Sequence, residues 1–236
     1  TNAAISGWVL DPDRKKMSKS KGNVVTPLAM LQEYGSDGVR YWAARGGPGV
    51  DTAFDVGQMK IGRRLAMKLL NASKFVLGRD AEVGGVTAPL DRAMLAGVAD
   101  LIADATVALD RYEYTRALDR VESFFWSFCD DYLELVKARR YGDHGPEGAQ
   151  SANAAMRATL SVLTRLLAPY LPFVTDEVWS WWQPGSVHTG AWPTTEEILA
   201  LAAEPGDAAT LAVAVEVTAA LRRAKSEAKV GMKTPI

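Results

Sequence analysis

Apolar residues recur at helical spacing over most of the chain. From Asp55 to Leu77, the positions Ile61, Leu65, Leu69 and Val76 fall on one side of a helix, and Gly78 follows as a stop. Leu95, Val98, Leu101 or Ile102, Ala105 and Leu109 predict a second helix over about 90–109. Leu118, Val121, Phe125, Phe128, Tyr132 and Leu135 predict a longer one over about 113–140, with Phe125, Phe128 and Tyr132 on a common core face. Further helices are expected over 149–168, where Pro169 and Pro172 break the pattern, then over 174–182 and 207–229. Thr194 and Glu197 have the spacing of a capping box. Residues 79–89 read as a linker and 142–148 as a loop. Upstream the pattern changes. Residues 3–10 read as a strand and 11–23 as a polar loop. Thr26-Pro27 then opens a helix that Gly35 ends, and Ser36 caps a second short helix to about Arg45. The sum is a mainly α protein: a small α/β piece over 1–54, then a bundle of about five helices over 55–236.

Composition narrows the class. The 236 residues are 48% hydrophobic and 23% charged, as expected of a globular protein that buries a sizeable core. A net charge of −1 means that any nucleic-acid surface must be a local patch. One cysteine, Cys129, excludes an intramolecular disulfide framework, and its apolar surroundings predict a buried reduced thiol. With only His144 and His188 beside it, no zinc cluster is expected and no bound metal is assigned. Without an 18-residue apolar run or a signal peptide, the cytoplasm is the expected compartment. The start at Thr1 and the end at Ile236 read as cuts from a longer protein.

The sharpest chemical feature lies in the polar loop. Arg14, Lys15, Lys16, Lys19 and Lys21 fall within eight residues, interleaved with Ser18 and Ser20 and closed by Gly22. Ammonium groups and hydroxyls on a flexible loop can converge on the oxygens of a polyphosphate. Composition alone favours a solvated basic loop.

Lys16-Met17-Ser18-Lys19-Ser20 is the complete KMSKS signature, and with it the chain resembles the class I aminoacyl-tRNA synthetases. The flanks Ser6-Gly7-Trp8-Val9-Leu10-Asp11 and Lys21-Gly22-Asn23-Val24-Val25-Thr26-Pro27, and the later Tyr34-Gly35-Ser36-Asp37-Gly38-Val39-Arg40-Tyr41, are similar to the valyl, isoleucyl and leucyl subgroup. The run Glu122 to Lys137, with its Phe-Phe-Trp and Phe-Cys-Asp, resembles the valyl branch, and Leu167–Trp179 and Ser186–Pro193 resemble the subgroup; the aromatic residues of these segments are expected in the core and His188 is expected to be structural rather than a ligand. Ser36, Gly38 and Ala168 depart from its usual residues without touching the signature.

The resemblance implies a part of an enzyme that activates valine with ATP and attaches it to its tRNA. Residues 1–54 would be the edge of the catalytic domain, and residues 55–236 the helical anticodon-binding domain. Lys16, Met17, Ser18, Lys19 and Ser20 would close over ATP, with Lys16 and Lys19 catalytic and Lys19 on the triphosphate; Mg²⁺ would arrive with ATP. A His-Ile-Gly-His segment, the amino-acid pocket and an editing domain are not found here, so the chain alone is expected to be catalytically incomplete. A monomer is expected.

The second candidate surface is electrostatic. Between Val56 and Arg79 stand Lys60, Arg63, Arg64, Lys68, Lys74 and Arg79, with no Asp or Glu. Arg64, Lys68, Asn71 and Phe75 share a helix face. Cations hold a phosphate backbone, Asn reads a base edge and Phe stacks on an unpaired base, so Arg63, Arg64, Lys68, Asn71 and Phe75 are the candidate tRNA contacts. A solvated face with Phe75 turned into the core is the alternative. Lys137, Arg139 and Arg140, and the run Arg222, Arg223, Lys225 and Lys229, are weaker candidates. An isoleucyl or leucyl relative and a stand-alone tRNA-binding module are the competing readings.

Overall fold

The computed structural model describes residues 5–78, 84–231 and 234. Among these, the elements are β1 (Val9–Leu10), α1 (Pro27–Ala44), β2 (Thr52–Ala53), α2 (Val56–Leu77), α3 (Pro89–Asp110), α4 (Tyr114–Ser127), a π-helical turn (Phe128–Tyr132), α5 (Leu133–Arg140), α6 (Gly145–Leu167), α7 (Pro172–Ser180), α8 (Thr195–Leu199) and α9 (Ala208–Glu227). The mainly α expectation holds. The expected strand shrinks to two residues, Val9 and Leu10, paired in parallel with Thr52 and Ala53. Residues 3 and 4, and the linker residues 79–83 with Arg79, lie outside the described residues. No helix among the described residues is long and apolar enough to cross a membrane.

The chain divides into two compact units. The first takes residues 5–78, Leu101–Phe125 and Leu160–Thr194. Its core includes Tyr34, Tyr41, Met59, Leu65, Leu69, Leu118, Phe125, Leu163 and Val178. The expected break is present as a kink inside α1 at Gly35, whose φ of 75° and ψ of 163° lie outside helical space. A side chain there would be strained by the backbone angle alone, since the space around it is open. Thr26 stands at the N-cap without a side-chain cap hydrogen bond, and Pro27 fills the first helical position. Helices α1 and α2 approach so closely at Gly62 that a Cβ there would overlap the Tyr41 side chain. The Tyr41 hydroxyl donates to Glu122 at 2.6 Å, and burial together with that carboxylate raises its pKa above the ordinary phenol value.

Helix α7 receives its cap from far along the sequence. Leu171 offers no side-chain cap. Instead the Asp37 carboxylate accepts the N–H groups of Phe173 at 3.1 Å and Val174 at 2.8 Å. Partial burial raises the Asp37 pKa against the pull of those two amides. Replacing a capping carboxylate typically costs about 1 kcal/mol. Asp37→Ala is therefore expected to lower the unfolding free energy measured in urea by that amount, and Asp37→Asn, which keeps an acceptor, by less. Equal losses would remove the capping role.

The second unit takes residues 84–100, Trp126–Thr159 and 195–231 with 234. Val86, Met94, Leu95, Phe128, Tyr132, Val136, Met156 and Ile198 are buried in it. Phe128 and Tyr132, placed on a core face by their spacing, are fully buried, as is Phe125 in the first unit, and Cys129 is buried and in no disulfide. The helix expected over 113–140 departs from α pitch at the π turn, which apolar spacing does not reveal. Helix α6 starts at Gly145, inside the expected loop. Helix α9 starts after Asp207, whose side chain accepts from Ala209 N–H at 2.9 Å.

One group of expected phosphate contacts is corrected here. Arg139 is 13% exposed and bound to buried Asp91, and Arg140 is 4% exposed with Nη1 on the Met156 sulfur. Lys137 pairs with Glu134 at 3.3 Å. The sequence shows a basic cluster, but two of its three cations belong to the interior.

Candidate nucleotide loop and basic helix face

The signature loop is built on a small hairpin that leaves β1. Asp11 N–H donates to Lys15 C=O at 2.9 Å, Arg14 N–H to Asp11 C=O at 2.9 Å, and Leu10 bridges antiparallel to Lys16. Two residues on, Lys19–Lys21 form a 3-10 turn, with Lys21 N–H donating to Ser18 C=O at 3.2 Å. Gly22, at φ 67°, closes that turn and sends the chain toward α1.

The five cations, Arg14, Lys15, Lys16, Lys19 and Lys21, are all exposed. Lys15 lies 3.6 Å from Asp13. Lys16 Nζ stands 4.9 Å from the centre of the Trp8 ring, a cation–π contact on an indole that is 66% exposed. Among the described residues, Lys19 and Lys21 have no carboxylate within ion-pair distance. Their ammonium groups face solvent on a polar loop that brings Ser18 and Ser20 Oγ within 3.3 Å of each other. Within the signature, Met17 is the apolar residue, and it turns inward. It lines a recess of about 210 Å³ with Val9, Val25, Pro27, Met30, Trp42 and Phe54. The loop therefore has one apolar anchor and a cationic outer face, an arrangement able to receive a polyphosphate.

Helix α2 is capped by Asp55, which accepts from Gly57 N–H at 2.7 Å and Gln58 N–H at 3.3 Å. It buries Met59, Leu65, Leu69, Ala72 and Val76. Lys60, Arg63, Arg64, Asn71 and Lys74 are exposed, and Lys68 and Phe75 are half-buried. The five cations from Lys60 to Lys74 thus share a helix without an acidic residue. Arg63 donates to the Glu33 carbonyl and lines a groove of about 550 Å³ with Gln32, Tyr34, Met67, Phe173 and Glu177. Phe173 is 64% exposed. Sequence reasoning placed its segment in the core; the residue opens α7, where the first turn faces the groove. His188 is structural as expected: its Nε2 lies 3.0 Å from the Pro172 carbonyl oxygen.

The sequence model for the anticodon-binding domain of tRNA ligase matches residues 91–236, more than half of the chain. The chain belongs to that family. The model for class I tRNA synthetases (I, L, M and V) matches residues 1–55, including the signature loop. Helix α2 lies between the two matched segments. Valine–tRNA ligases of Thermobifida fusca, Salinispora tropica and Cutibacterium acnes are 64%, 55% and 55% identical to it, over 99%, 100% and 99% of the chain. The chain spans 27%, 30% and 27% of their respective lengths. Among solved structures, the ternary complex of Agrobacterium radiobacter K84 agnB2 LeuRS with tRNA and LeuAMS matches with a TM-score of 0.65 at 22% identity. That match covers 82% of this chain and 24% of the other, and it shows a shared fold. This member of the anticodon-binding family thus continues, at its N-terminal end, into a class I synthetase segment that carries the signature loop.

Proposed function

We propose that the chain is the part of a valine–tRNA ligase that handles the phosphates of ATP and grips tRNA. The observation that carries this reading is the intact Lys16–Ser20 signature, outward-facing, with the Lys19 ammonium unpaired by any described carboxylate. Lys16 and Lys19 hold the triphosphate as adenylate forms, with Met17 seating the loop and Ser18 and Ser20 supplying hydroxyls. ATP comes in as substrate with its Mg²⁺. A cation placed where charge develops lowers the barrier without reorganising at the moment of reaction. The relatives named valine–tRNA ligase, at 64% and 55% identity, favour valine over isoleucine or leucine. A division at 54/55 between catalytic edge and anticodon-binding domain, a monomeric state and a cytoplasmic location are parts of this proposal.

The charging assay tests it with the complete protein. Valine is expected to be activated and attached to its tRNA; charging of isoleucine or leucine instead would install the competing relative.

Arg63, Arg64, Lys68, Asn71 and Phe75 are the tRNA contacts in this reading. The cations set the RNA backbone, while Asn71 and Phe75 meet bases. Exposed Phe173 beside Arg63 adds an aromatic face of the kind on which unpaired bases stack. Removing one cation from a phosphate reduces the slope of log affinity against log salt by about 0.7–0.9. The combined Arg63→Ala, Arg64→Ala, Lys68→Ala variant is therefore expected to bind tRNA more weakly, with a salt slope shallower by about two. An unchanged slope would take this face out of the RNA interface.

A further inference from the structure

One amide side chain ties the signature loop from both sides of Met17. Asn23 Oδ1 accepts the N–H of Ser18 at 2.9 Å, and Asn23 Nδ2 donates to the Lys16 carbonyl at 3.2 Å. The same nitrogen donates to Asp11 Oδ2 at 2.8 Å. Asp11 is 6% exposed in an otherwise open loop, and its Oδ1 accepts the N–H of Lys15 at 2.7 Å. The acceptor and both donor positions of the amide are thus used. The Lys15 N–H and then the Asn23 amide hold the Asp11 carboxyl below the usual carboxylate range, so it stays an acceptor at neutral pH.

This clasp sits where it controls the reacting end of the loop. Ser18 is the N-cap of the 3-10 turn whose first residue is Lys19. Fixing the Ser18 amide fixes the direction in which Lys19 leaves the backbone. Gly22, left-handed at φ 67°, reverses the chain so that Asn23 can face Ser18. The Lys16 carbonyl that Asn23 satisfies belongs to an exposed residue, and the buried Asp11 carboxylate keeps its hydrogen bond from the Lys15 N–H when Asn23 is lost. Its removal therefore frees the loop rather than unfolding the protein.

We propose that Asn23, itself held by Asp11, is a positioning residue for adenylate formation: it sets the backbone of Lys16–Ser18 and so the point from which Lys19 reaches the phosphates. The inference rests on the reading of this loop as the ATP-handling segment. A displacement of a reacting group by about 1 Å can cost about 10²-fold in rate.

The test uses the complete protein, valine-dependent pyrophosphate exchange and amide hydrogen exchange. Asn23→Ala is expected to lower kcat about 10- to 100-fold, with the valine KM and Tm unchanged and faster hydrogen exchange at Ser18. Asn23→Asp sets a carboxylate against Asp11 and is expected to be equally poor. Adding Asp11→Asn to Asn23→Asp reverses the donor and acceptor across the clasp, and is expected to recover about tenfold. If Lys19→Ala is crippling but Asn23→Ala leaves kcat unchanged, the positioning role fails and the ATP reading stands. If Asn23→Ala lowers Tm and the paired exchange restores nothing, the role is structural and the inference is overturned. If Lys19→Ala is itself silent, the ATP reading fails and takes the inference with it.

Discussion

Lys19→Ala in the complete protein is expected to slow valine-dependent pyrophosphate exchange about 10²- to 10³-fold, the cost of about 3–4 kcal/mol that follows loss of one well-placed electrostatic donor. The size follows from the residue's setting. Lys19 opens a 3-10 turn, stands in solvent, and among the described residues has no carboxylate partner to share its charge. On the proposed reading of the loop, its ammonium would meet the triphosphate without first breaking an ion pair to a described carboxylate. The loss should appear in kcat for exchange, while tRNA affinity measured by filter binding stays within about twofold, because the basic face of α2 is untouched. Lys19→Arg keeps the charge but offers a planar fork in place of a compact ammonium, so partial activity is expected. Unaltered exchange after Lys19→Ala would end the phosphate role of this lysine.

The second large effect is one of stability. Asp91 is completely buried. Its Oδ1 accepts from the Tyr132 hydroxyl at 2.7 Å and from Arg139 Nη2 at 2.6 Å; its Oδ2 accepts from Arg139 Nη1 at 2.6 Å and from Ser151 Oγ at 2.6 Å. Ser151 Oγ in turn accepts the N–H groups of Thr87 at 3.1 Å and Ala88 at 3.0 Å, which ties the approach to α3 into the same network. Burial and the neighbouring carboxylate push the Tyr132 hydroxyl well above its ordinary pKa, so it remains a donor. Asp91→Ala leaves a guanidinium that is only 13% exposed without its counter-ion. Breaking a buried pair in this way costs about 3–5 kcal/mol, a large share of the 5–15 kcal/mol that holds a typical domain. Chemical denaturation followed by tryptophan fluorescence is expected to show that loss. Asp91→Asn should recover little of it, because the amide cannot neutralise Arg139. A loss below about 1 kcal/mol would mean that water reaches the guanidinium freely.

Much of this was legible in the chain, for reasons that are local. Helix α2 was bounded correctly because Asp55 and Gly78 mark its ends and four apolar positions mark its face. The break at Gly35 was readable because glycine is the residue that adopts its backbone angles without strain. The signature loop was readable as a motif, and the structure adds which of its residues turns inward. What stayed hidden depends on partners distant in sequence. Nothing near Pro172 announces that Asp37, more than a hundred residues earlier, caps α7. Arg139 and Arg140 looked like surface cations because charge is usually solvated, and only the fold brings Asp91 to meet Arg139. Phe173 looked like core because its neighbours Val174 and Val178 are core. The clasp of Asn23 on Ser18 spans only five residues, yet it needs the turn at Gly22, whose geometry side-chain pattern does not encode.

The π turn at Phe128–Tyr132 holds one residue more than an α-helical turn would. Each residue of an α-helix advances the azimuth by about 100°. Losing one residue there would swing everything on α5 by more than a quarter circle. The Arg139 guanidinium would then point away from Asp91, and a valine or leucine side chain would be carried toward solvent in exchange. The surplus residue is thus a phase setter: this stretch can exchange side chains of similar volume, but its length is fixed by an ion pair two turns downstream.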